Sequence, residues 1–183
     1  MGKIYDAIDA NLASFLEAQR IFFVASAPVG ANGHINLSPK GLDSFRLLGP
    51  RQVAYADLTG SGIETVAHVR ENGRLVLLFC AFEGPPKIVR LHGHAEVIDR
   101  SHAEFAALVD RFPHLPGLRS IIRLDIERIS DSCGHGVPLY EYRGERNQLL
   151  DWATHKGESG LTEYRRSKNA ASIDGLPGFE ENP

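Results

Sequence analysis

The chain has 183 residues, 43% of them hydrophobic and 23% charged, enough for one globular domain with no need of disulfides. A net charge of -3 supplies no global field toward nucleic acid or anionic lipid, so an anionic ligand would have to be held by a local site. Cys80 and Cys133 form no CxxC pair, which argues against a disulfide framework or a structural zinc site.

From the N-terminus, Ile4, Ile8, Leu12, Phe15 and Leu16 fall at helical spacing with acids between them, which predicts an amphipathic helix. The early acids and the lack of a continuous apolar core argue against a signal peptide. No apolar run approaches the roughly 20 residues of a membrane span, and a reducing cytoplasm is expected. Residues 21–25 read as a strand, Pro28 to Gly33 as a turn, and His34 to Ser38 as the returning strand of a hairpin. Gln52 to Leu58 reads as a strand, and a short helix follows Thr59-Gly-Ser-Gly62 and stops at Asn72-Gly73. Arg74 to Phe82 and Lys87 to Ile98 read as strands. The latter contains Gly93. Ser101 and Glu104 have capping-box spacing for a helix reaching Phe112, and Ser120 to Ile129 alternates as a strand. Residues 131–138 are irregular, residues 145–155 and 161–171 read as helices, and the Pro/Gly-rich tail from Gly175 reads as loosely held. About six strands with few helices between them favour an α+β fold built on a mostly antiparallel barrel.

Four places could carry chemistry. In Asp57-Leu-Thr-Gly-Ser-Gly-Ile-Glu-Thr65 a strand ends, small residues follow and a helix begins. Unpartnered N–H groups and the helix dipole favour a phosphate there, with Thr59, Ser61 and Thr65 as hydroxyl donors. Equally, Ser61 and Glu64 have capping-box spacing, and Glu64 would repel a phosphate unless turned away. In Asn36-Leu-Ser-Pro-Lys-Gly41, Lys40 offers a point charge, or is simply a solvated turn lysine. His92 and His94 share a strand face, a spacing that suits a metal or haem iron, but no acid or cysteine stands beside them in the strand and no metal site is assigned. Cys133-Gly-His135 lacks an identifiable base and reads as a loop packing on the barrel.

Taken in order, the segments Asn36 to Gly41, Val53 to Leu58, Thr59 to His68, Glu71 to Phe79 and Val89 to Val97 resemble the pyridoxamine 5'-phosphate oxidase-like split barrels, over about Phe15 to Ile129. The resemblance implies one domain over 1–183, with a barrel core at about 15–130, flanking helices and a helical C-terminal extension at about 131–183. It implies flavin mononucleotide (FMN) held between two copies of the chain, with a small-molecule substrate and no nucleic-acid or membrane partner. The residues it brings to FMN are Ser38 and Lys40 from the hairpin, Tyr55, Ala56 and Asp57 from the strand, and Ser61, Gly62, Glu64 and Thr65 from the phosphate loop. That loop lacks the family's Arg-Lys pair, and the late Arg-x-His of the true oxidases is missing, so another substrate is implied. Haem, deazaflavin (F420) and a non-enzymatic flavin carrier remain open alternatives.

Overall fold

The computed structural model describes residues 2–179, so 180–183 of the expected extension lie outside the described residues. The chain runs β1 (Ile4–Tyr5), α1 (Ala10–Ala18), β2 (Phe22–Ser26), β3 (Asn36–Lys40), β4 (Phe45–Gly49) and β5 (Gln52–Leu58). It continues α2 (Glu64–Asn72), β6 (Arg74–Cys80), β7 (Ile88–Asp99), α3 (Phe105–Val109), β8 (Leu118–Ser132) and α4 (Gln148–Lys168). The strands form one antiparallel sheet ordered β3-β2-β6-β7-β8-β5-β4, with β1 added against β8. The two end strands, β3 and β4, are consecutive in the chain but unpaired with each other. Only the turn Gly41–Ser44, where Leu42 and Asp43 take left-handed backbone angles, joins these two free edges. This is a split, unclosed barrel in an α+β fold.

Alternation on the strands fills the interior. Phe22, Val24, Tyr55, Leu77 and Phe79 point inward, and Leu12 and Leu16 of α1 plug one end. Phe22 stacks on Phe79 at 5.4 Å and meets Tyr55 edge-on at 5.7 Å. Such pairs add about 0.5–1.5 kcal/mol beyond their buried area. The other face of β5 buries Ala54 and Ala56 with Ile98, Ile121, Phe112 and Leu115 in a second core. The long β7–β8 hairpin shifts register between His92 and Gly93. A Cβ at Gly93 would lie 1.9 Å from the Asp125 carbonyl oxygen, so only glycine fits.

Several expectations need correction. Ile4 and Tyr5 are not helical. They pair with Ser130 and Ile129, and the helix begins only at Ala10, capped by the Asp9 side chain. β4 was not anticipated. The capping box at Ser101 does not form: its hydroxyl bonds back to Asp99, and helix is confined to Phe105–Val109. Ser61 does not cap α2 either; Ile63 occupies that position without a side-chain bond. The two late helices are both present within Gln148–Lys168, separated at Gly157, whose φ 64° and ψ 172° are not helical. The tail is not loose as far as Phe179. Ala171 bridges Pro177, and Phe179 is buried in the main core. Cys80 is buried, as expected, and Gly134 packs on the Lys87 backbone, so the Cys133–His135 loop does lie against the barrel. Among the described residues no helix is long and apolar enough to cross a membrane.

Candidate functional site

Where the chain crosses between the barrel's free edges, β3, the Gly41–Ser44 turn, the end of β5 and the start of α2 enclose a cleft of about 280 Å³. Of the residues nominated from the sequence, Ser38, Lys40, Ala56, Gly62, Glu64 and Thr65 line it. Hairpin pairing brings β3 here, and the break after Leu58 turns the chain across the barrel mouth into α2. Asn36 donates to the Thr65 hydroxyl at 2.9 Å and to Ser26 at 3.2 Å, and accepts from Ser38 at 3.2 Å. One short network thus ties β3 to the first turn of α2. Behind it, His68 is fully buried, and its Nδ1 lies 3.0 Å from the Ser26 hydroxyl. Burial lowers the His68 pKa.

Asp57 does not line the cleft but lies beneath it, behind Lys40 and Arg119. It is fully buried, bonded by the Arg119 Nε at 2.7 Å and the Ser120 hydroxyl at 3.3 Å, and 3.6 Å from the Lys40 ammonium. Burial pushes its carboxyl up, but the charge of Arg119 and then that of Lys40, with the hydrogen bonds, outweigh burial and hold it below the usual carboxylate range. Tyr55 is enclosed in the aromatic core, and neither it nor the exposed Ser61 lines the cleft. Burial first, then Asp57, raises the Tyr55 pKa well above its ordinary value.

Two residues that contact the loop between β5 and α2 are not among those nominated from the sequence. Arg119 from β8 lines the cleft and donates to the Gly62 carbonyl at 2.8 Å. It stands beside the loop that lacks an Arg-Lys pair, yet is far from it in sequence. Asn169, at the end of α4, bonds both Arg119 and the loop. The cleft adjoins a larger one of about 1150 Å³, which shares Pro39, Lys40, Gly41, Leu42 and Leu149 with it and is walled on one side by residues 140–146 and by Gln148. The His92–His94 pair lies elsewhere. His94 Nδ1 is 2.7 Å from the Glu127 carboxylate of β8, and no group of three metal-ligating side chains occurs among the described residues.

A family profile described as pyridoxamine 5'-phosphate oxidase matches residues 8–133. An Aspergillus flavus protein described as "Pyridoxamine 5'-phosphate oxidase family protein ustO" is 40% identical over 198 aligned positions, covering 98% of this chain and 78% of that one. Among solved structures, HupZ of Group A Streptococcus superposes with a TM-score of 0.51 at 22% identity, over 67% of this chain and 91% of that one. A Mesorhizobium loti protein described as FAD-binding does so with a TM-score of 0.50 at 14% identity, over 72% and 96%. These two share the fold. The profile match over most of the barrel, and the fungal relative aligned along nearly the whole chain, establish that this protein belongs to the pyridoxamine 5'-phosphate oxidase family.

Proposed function

We propose that the protein is a cytoplasmic homodimer that binds FMN with its phosphate in the cleft between β3 and the start of α2, and that it is a flavin-dependent oxidoreductase acting on a small molecule. The observation that carries this reading is the convergence of Lys40, Ser38, Asn36, Thr65 and the first turn of α2 on one cleft. These include the donor types a phosphate needs, one ammonium, hydroxyls and helix-start N–H groups, with the Asn36 amide holding the Thr65 hydroxyl in place. The fit has one feature of its own. The cations Lys40 and Arg119 are matched by Asp57 and Glu64, so the phosphate would be held mainly by hydrogen bonds rather than by surplus charge from this chain. When bound, the isoalloxazine ring supplies the redox chemistry, and the protein supplies position and electrostatics. Two free cysteines accord with a reducing compartment.

A second reading, FAD, is favoured by the larger adjoining cleft, which has room for an extended second nucleotide, and by the description of the Mesorhizobium loti protein. The absorbance spectrum of the purified protein, with mass spectrometry of the released cofactor, tests both. FMN supports the proposal. Released FAD selects the second reading, and a Soret band or a deazaflavin overturns both.

A further inference from the structure

Between β5 and α2 the loop presents three successive carbonyls to the protein rather than to the cleft. The Asn169 Nδ2 donates to the Gly60 oxygen at 2.9 Å and to the Ser61 oxygen at 3.4 Å. Arg119 Nη2 donates to the Gly62 oxygen at 2.8 Å. Asn169 is fully buried, and its Oδ1 accepts from Arg119 Nη1 at 2.9 Å, so the amide orientation is fixed by a donor on one side and two acceptors on the other. A trans peptide sets its N–H antiparallel to its C=O. Holding the Gly60 and Ser61 carbonyls on Asn169 therefore turns the Ser61 and Gly62 N–H groups away from it, on a loop whose Gly60 and Gly62 line the cleft. Among the described residues neither N–H donates to a protein acceptor.

Asn169 is itself pinned. Its N–H donates to Arg165 at 2.7 Å as the last turn of α4 closes, and its carbonyl accepts from the Phe179 N–H at 2.9 Å. A Cβ at Gly178 would lie 2.1 Å from that carbonyl oxygen, so the tail packs directly on it.

We infer that Asn169 is a positioning residue: the C-terminal extension reaches back through it to fix the peptides of the 60–62 loop, and thereby readies the Gly62 N–H, on the cleft wall, for the phosphate of the bound nucleotide. The inference rests on the phosphate-site reading above. It gives the helical extension a role in ligand affinity, beyond covering the barrel.

The test is a fluorescence titration of the full chain with FMN and with riboflavin, which lacks the phosphate. Asn169→Asp keeps the acceptor for Arg119 but loses the donors to the loop; Asn169→Leu loses both without adding charge. Asp174→Asn is the control, because it loosens the same tail at its 2.7 Å contact with His34 without touching the loop. Both Asn169 variants are expected to bind FMN at least about tenfold more weakly. Riboflavin should bind them as it binds the parent, and Asp174→Asn should match the parent for both ligands. Parent-like FMN binding by both variants overturns the inference alone. An equal loss of riboflavin, or an equal FMN loss in Asp174→Asn, does so too. If the parent binds neither FMN nor inorganic phosphate, the phosphate-site reading falls and takes the inference with it.

Discussion

Asp57 lies between Arg119 and Lys40 with no exposure to water, and the three side chains must be considered together. Removing Arg119 would strand a buried carboxylate, a loss typically worth about 3–5 kcal/mol. Arg119→Met is therefore expected to unfold at clearly lower urea than the parent, and an unchanged midpoint would contradict the pairing. Several depressed groups shape the acid limb of stability, Asp57 and His68 among them. Asp57 has a folded pKa below its unfolded value, so its stabilisation is present above that value and is lost as pH falls through the folded one. His68 is depressed by burial below its ordinary 6.5, so the unfolded chain takes up its proton first and stability declines as pH drops below about 6.5. Urea midpoints across pH should fall first in the histidine range, and His68→Gln should shrink that first fall, with His92, also depressed by burial, contributing the rest. Lys40 faces the cleft, and a charge-assisted hydrogen bond is worth about 1.5–3 kcal/mol. Lys40→Ala should thus weaken FMN roughly tenfold to a hundredfold, with riboflavin unaffected. An equal loss of both ligands would place Lys40 at the ring or in folding.

At the scale of elements, the sequence was most legible where periodicity and stop signals agreed. Gln52–Leu58 is a strand over the range its pattern indicates, and Gly73, at φ 72°, ends α2 after Asn72. β4 was hidden because it is short and follows a tight turn whose first left-handed residue is Leu42, a type that seldom takes that conformation. Ile4 and Tyr5 fitted a helical stripe, yet pairing with β8 decided their state, and such long-range partners leave no local mark. The site divides in the same way. Ser38, Lys40, Gly62, Glu64 and Thr65 lie in contiguous segments and could be nominated together. Arg119 and Asn169 reach the loop from far along the chain, and only the folded sheet and α4 deliver them. Phe179 looked like part of a loose tail because proline and glycine surround it, although one buried aromatic suffices to anchor such a segment. The Gly93 contact offers an element-scale test. Gly93→Ala forces β7 and β8 apart where they are closest and should cost about 1–3 kcal/mol, read as a lowered melting temperature. Parent-like melting would contradict the close approach.

For the whole molecule, the proposed dimer and the proposed cofactor are linked. A site shared by two copies makes FMN a stabiliser of the assembly, by about 2.7 kcal/mol at a ligand concentration one hundred times its dissociation constant. Light scattering of the FMN-loaded protein should give twice the 20.1 kDa chain mass, whereas a monomer with full flavin occupancy would rule out a shared site. Exposed apolar side chains on β3 and on the segment before α4, Leu37, Leu139 and Tyr140 among them, are surface that such an assembly could cover. The central claim is that a compact cleft built for one phosphate selects FMN. Equilibrium titration of the apo-protein with FMN and FAD, followed by flavin fluorescence, tests it most directly. The account expects one FMN per chain, bound more tightly than FAD; tighter binding of FAD, or no binding of either, would contradict it.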